Sequence, residues 1–141
     1  MMHAFRESSI TTYGLNPTVV RAWRWEAELD DRTCPICWAM HGTTVEGAVP
    51  FGTHPMCRCS PIPVTRTWRD VGLDPVESVD YGPTGPQAFE ALGRDRQRAI
   101  MGPGRLEVYE SGVSLPEMVY VTDDPQWGPT RGLKLLRELV K

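Results

Sequence analysis

No apolar run in this chain of 141 residues approaches the roughly 20 residues that a bilayer-spanning helix requires. The opening MMHAFRESSITTYG carries no apolar signal core behind its charges, so export by a signal peptide is not expected. Positive charge is not in excess either: 15 Lys and Arg stand against 18 Asp and Glu, a net charge of -3. That balance argues against a strongly basic nucleic-acid binder, although a local basic patch survives inside such an average. Internal repeats, low-complexity tracts and heptads are all missing. Cysteine is scarce, with 4 residues, and without an export signal an even cysteine count reads as metal binding before it reads as a disulfide framework. What is plentiful is Gly and Pro, 13 of each, which points to one domain with a modest core and much irregular backbone.

The expected fold class is α+β: a small antiparallel sheet with a cysteine-rich, zinc-knuckle-like turn, followed by short packing helices. In RAWRWEAELDD, Trp23, Trp25, Ala27 and Leu29 alternate with Arg24, Glu26 and Glu28, the period of a strand with one buried face. A helix capped at Asn16 with Pro17 in its first position is the competing reading. HGTTVEG predicts a turn at Gly42 and a short strand through Val45. SPIPVTRTW predicts a second extended piece, because two prolines at alternate positions keep the backbone out of the helical region. Arg69 to Pro86 reads as a surface linker. Beyond it the pattern predicts a helix from Pro86 to Met101 and another over RLEVYESG closed by Gly112. LPEMV suggests a turn, and TRGLKLLRELVK a final amphipathic helix with Leu133, Leu136 and Val140 on one stripe. The organisation expected is an arm over 1–20, a domain over 21–120 holding the cysteine cluster at 34–59, and a helical tail over 121–141. Arg94, Arg96, Arg98 and Arg105 form a basic cluster able to meet phosphate or an acidic partner. With Asp95 among them and helical geometry spreading them over several faces, a solvated helix is the plainer reading.

The chemistry concentrates in TCPICWAMHGTTVEGAVPFGTHPMCRC, which holds every cysteine and two of the three histidines. Cys34 and Cys37 form C-x2-C; after nineteen residues Cys57 and Cys59 form C-x-C. Two close pairs of thiolates are what a tetrahedral zinc ion takes, with Zn–S bonds of about 2.3 Å. The C-x-C half is expected to need a bend to bring both sulfurs to one ion. One ligand set is the four cysteines; another is Cys37, Cys57 and Cys59 completed by His54. Reduced buried thiols, or disulfides joining Cys34 to Cys57 or Cys37 to Cys59, are the plain alternatives. Four thiolates would close the shell and leave no open position for catalysis. His41, beside Gly42, reads as a hydrogen-bonding turn residue. A redox or nucleophilic role for Cys34-Pro-Ile-Cys37 would require a helix opening after a strand, and WAMHG is soon interrupted by glycine.

These residues also resemble a known family. WRWEAELDDRTCPICWAMHGTTVEGAVPFGTHPMCRCSPIPV is similar to the phage Mu F-like head morphogenesis family, the minor capsid proteins encoded beside the portal in many tailed phages. The likeness runs through the strand Trp23 to Leu29, the Asp31-Arg32-Thr33 turn, Cys34 to Cys37, Met40 to Gly42 and Pro55 to Cys59. FEALGRDRQRAIMGPGRLEVYESGVSLPEMV resembles the end of the same domain, so the likeness spans about Arg21 to Val119. Family members carry a long helical N-terminal region that has no counterpart in these residues. The resemblance implies a structural role in the virion, with synthesis in the host cytoplasm. Portal or major capsid protein would be the partners, packaged DNA a further contact, and no membrane is involved. It implies no enzymatic activity, and an influence on DNA packaging or ejection. Some members of the family lack the first cysteine, which makes Cys37, Cys57 and Cys59 the steadier ligands. Two other function classes stand beside it. One is a small phage-associated toxin or nuclease, for which His41, His54, Asp30 and Asp31 show no motif. The other is a zinc-dependent nucleic-acid-binding module.

Overall fold

The computed structural model describes residues 2–47, 49, 51–52, 54, 57–67, 69–70, 72, 80–126 and 128–140, with side chains from residue 5 onward. Pro55 and Met56 of the expected motif, and much of the expected linker Arg69 to Pro86, lie outside the described residues.

The fold is α+β. Strand β1 (Val20–Glu26) is the centre of an antiparallel sheet, flanked by β2 (Thr44–Val45) and β3 (Ser60–Thr65). Trp23 lies opposite Val45 on one side and Pro63 on the other, and Trp25 lies opposite Pro61. Proline has no N–H to donate, so Pro61 and Pro63 suit an edge strand and give its outer border little to offer another strand. Alternation in β1 is therefore sound, but its second face is not solvated as the pattern suggests. Arg24 is 6% exposed, because the segment before helix α3 (Gly85–Glu90) crosses over it. Arg24 donates to the Pro83 carbonyl, pairs with Glu26 at 3.3 Å and lies over the Tyr81 ring.

Three expectations are corrected. The arm over 1–20 contains helix α1 (Met2–Gly14), docked on the sheet through Ile10, which is 2% exposed. Its Ser and Thr hydroxyls hid it from pattern reading, since Ser9, Thr11 and Thr12 donate back to carbonyls four residues earlier. The helix expected from Pro86 to Met101 is two: α3 and α4 (Arg94–Met101), broken at Gly93. Thr84 and Gln87 cap α3 reciprocally, and buried Gln97 donates to the Phe89 carbonyl, which supports the break from inside. The helical tail over 121–141 is instead a hairpin followed by one turn of helix. Strands β4 (Val119–Asp124) and β5 (Gly128–Leu133) pair Val119 with Leu133 and Val121 with Arg131, leaving only α6 (Leu136–Leu139) helical. The β-branched run at Val119, Val121 and Thr122, followed by DDPQWG, carried the signal for that hairpin.

Two apolar clusters meet at helix α2 (Pro35–Met40). Trp38 and Ala39 face one, with Phe89, Met101, Leu106, Leu115 and Met118, to which α5 (Pro103–Glu110) contributes. Cys37 faces the other, with Ile10, Trp23, Trp25, Phe51, Cys57 and Cys59. Gly85 lets α3 approach α2 closely: its N–H donates to the His41 carbonyl, and a Cβ there would run into the Trp38 carbonyl. Among the described residues no helix is long and apolar enough to cross a membrane.

Candidate metal centre

The turn ahead of the first cysteine pair is built by its own polar side chains. Asp30 accepts the Arg32 N–H at 2.8 Å, and the Thr33 hydroxyl donates to the Glu28 carbonyl and accepts the Asp30 N–H. Cys34 is then the residue before α2, with extended backbone, and Pro35 takes the first turn, where a missing N–H costs nothing. One helical turn brings Cys37 back towards Cys34, with sulfurs 3.6 Å apart. The second pair arrives from the loop after Phe51. Arg58, between its two cysteines, forks onto Asp30 at 2.9 and 3.2 Å and so ties that loop to the turn carrying the first pair. This contact holds Asp30 at a pKa of about 2.

The four sulfurs and one imidazole converge. Cys34, Cys37 and His54 have ligand atoms within 4.8 Å of one another, and so do Cys37, Cys57 and Cys59. Cys37 belongs to both groups. His54 Nε2 is 3.3 Å from Cys34 Sγ and 3.1 Å from Cys37 Sγ, nearer to each than the two sulfurs are to one another. His54, which completes the second candidate set, thus lies against the first cysteine pair. Cys37 and Cys57 are 4.0 Å apart. Tetrahedral zinc with Zn–S of 2.3 Å sets sulfurs about 3.8 Å apart, so the spacings bracket what the ion needs. The bend expected at Cys57 and Cys59 is not needed, because side chains two apart share a face of extended chain. All four cysteines are free thiols, and neither disulfide considered from the sequence is formed.

Without a metal the protons distribute unevenly. Hydrogen bonds from Cys37 and His54 bring Cys34 down to about 4, while Cys34 and Cys57 raise His54 to about 10. Cys37 is pushed far up by the crowding sulfurs of Cys34, Cys57 and Cys59. Cys37 favours the Cys59 thiolate, but Cys57 and burial prevail and push Cys59 up to about 12. A nitrogen- and sulfur-binding cation would displace the shared protons, which fits this donor set to a metal ion of that kind. The buried indole of Trp25 lies by Cys59, where its N–H favours the thiolate. The Cys59 N–H lies 3.4 Å from Cys57 Sγ, the outer hydrogen bond expected of a metal-bound thiolate. Held here, the ion would be chiefly structural, because Cys37, Cys57 and Cys59 belong to the core. A cleft of about 200 Å³ bordered by Glu28, Arg32, Thr33 and Arg58 gives access to Cys34 and His54.

The C-x2-C does open a helix, contrary to the sequence-based objection to a redox role. The preceding strand, however, belongs to an antiparallel sheet, so the βαβ setting of a redox C-x2-C is not formed here. His41 is outside the cluster: its Nδ1 accepts the Ala27 N–H at 3.0 Å, and burial holds its pKa below the ordinary histidine value. Below pH about 6.5 the unfolded chain takes up a proton that folded His41 resists, so stability is present above that pH and declines below it. His41→Asn, which can keep the acceptor, is expected to flatten the melting temperature of the zinc-loaded protein between pH 5 and 7 relative to wild type. Parallel profiles for the two proteins would count against this assignment.

Of the arginine cluster, Arg94 pairs with Glu110 at 2.6 Å, Arg96 with Asp31 at 2.9 Å, and Arg105 donates to the Lys134 carbonyl. Those three are engaged within the chain. Two functional side chains escaped sequence reasoning. Arg6 of α1 donates to the carbonyls of Cys57 and Cys59, and Arg131 of β5 donates to those of Phe51 and Gly52. No local motif marks either one, since each acts across 50 residues or more. No family model, no curated protein and no solved structure matches this chain.

Proposed function

We propose that the chain is a structural minor head protein of a tailed phage, held in shape by one zinc ion and active through its surface rather than through chemistry. Its place is in the head, near the portal or inner capsid, where it takes part in assembly and in DNA packaging or ejection. Zinc is held by Cys37, Cys57 and Cys59, with the fourth position filled by Cys34 or by His54, both of which lie beside Cys37. The single observation that supports this most is the convergence of the segments that carry the family resemblance. Asp30 to Cys37 and His54 to Cys59 meet through their sulfurs, the imidazole and the Arg58–Asp30 fork. A metal that joins two loops inside a small core adds stability that limited apolar burial does not supply.

The test is fractionation of purified particles. The protein is expected in intact, DNA-filled heads at a fixed copy number, and to be recovered with the portal after mild disruption. Recovery only from the soluble lysate would sink the head assignment. Hydrolysis of DNA or RNA by the purified protein, abolished by His54→Ala, would make it an enzyme instead.

A further inference from the structure

The N-terminal helix grips the peptide backbone of the second cysteine pair. Arg6 is 2% exposed; its Nε donates to the Cys59 carbonyl at 2.7 Å and its Nη2 to the Cys57 carbonyl at 2.6 Å. The guanidinium is a rigid fork, so carbonyls two residues apart are held in one plane and the intervening Arg58 is turned outward, towards Asp30. The next residue, Glu7, accepts the Phe51 N–H at 3.1 Å, at the start of the same loop. Arg6 also lies over the Phe51 ring, 5.3 Å from its centroid. Two consecutive residues of the helix therefore fasten both ends of the loop that carries His54, Cys57 and Cys59.

We propose that Arg6 is a positioning residue of the metal centre, and that seating of helix α1 and occupation of the centre reinforce each other. This rests on the metal reading above. A ligand loop already fixed by Arg6 loses less freedom when it takes up the ion. By linkage, an ion that fixes the loop must to the same degree favour the seated helix. The helix is thus a latch whose closure follows metal occupancy.

The decisive variant in the full chain is Arg6→Lys, which keeps the charge and loses the fork. Zinc affinity, measured by competition with a chromophoric chelator, is expected to fall about ten- to a hundredfold, the usual cost of losing an outer partner of a metal ligand. Cobalt(II) bound in place of zinc is expected to show shifted d–d bands. In wild type, removing zinc is expected to speed chymotryptic cleavage at Phe5 and Tyr13. Unchanged zinc affinity and cobalt spectrum in Arg6→Lys would overturn the proposal while leaving the metal reading intact. Wild type that binds neither ion would overturn both. If Arg6→Lys does not fold, the wild-type digestion decides: equal protection of the helix with and without zinc overturns the latch, and zinc-dependent protection supports it.

Discussion

Cys37→Ser is expected to abolish stoichiometric zinc binding and to remove most of the thermal stability of the protein. Cys37 is the side chain common to both groups that could hold the ion, and it is 4% exposed in the cluster with Trp25 and Phe51. Serine brings a hard oxygen that zinc takes poorly and leaves a hydroxyl among apolar neighbours. In small zinc domains the binding free energy is folding free energy, about 10–16 kcal/mol in isolated finger peptides. Here a preformed sheet and a second core carry part of the load, so a loss of several kcal/mol is expected. Cys34→Ser, at a half-buried position in one group alone, is expected to lose less. Metal analysis of the purified variants and melting curves with and without chelator provide the check. Wild type in chelator should melt as Cys37→Ser does. A wild type that carries no zinc, or that melts unchanged in chelator, returns the cysteines to the role of reduced core thiols.

Trp25→Ala should be the costliest substitution away from the ligands, at about 3–5 kcal/mol for an aromatic removed from a packed core. Trp25 is fully buried, its ring stacks on Phe51 at 3.9 Å and 15°, and Arg131 lies over it at 4.8 Å. With Arg6 over Phe51, each ring of the stacked pair has a guanidinium over it, one from α1 and one from β5. Removing the indole therefore loosens the ligand loop as well as the sheet, and zinc affinity should fall together with stability. Trp25→Phe, which keeps a ring for Phe51, is expected to retain more of both. Urea unfolding of the zinc-loaded proteins measures the difference. A cost for Trp25→Ala near 0.5 kcal/mol, about that of a surface change, would contradict this account of the core.

The strand at Trp23 and Trp25 was legible because a two-residue alternation of large apolar and charged side chains has few other uses. The proline-marked edge strand and the helix closed by Gly112 were legible for similarly local reasons. Helix α1 was not, because its few inward residues, Ile10 and Tyr13 among them, make no stripe until the sheet is there to receive them. The C-terminal hairpin was misread because Leu133 and Leu136 are compatible with helical spacing, while the pairing of β5 with β4 is a contact that periodicity cannot register. At the site, residue types and spacing drew attention to the correct cluster. Whether His54 stands with the cysteines depends on how the loop after Phe51 folds back, and no spacing rule contains that.

The sequence by itself determined the class of fold, the place of the sheet and the set of side chains suited to a soft metal, since these follow from local pattern and from the chemistry of sulfur and imidazole. Only the tertiary structure decided that Cys37 is shared, that His54 sits beside Cys34 and Cys37, and that Arg6 and Arg131 hold the ligand loop from two sides. Those contacts join residues far apart in the chain, and their energies come from burial and hydrogen bonds that exist only once the chain has closed on itself.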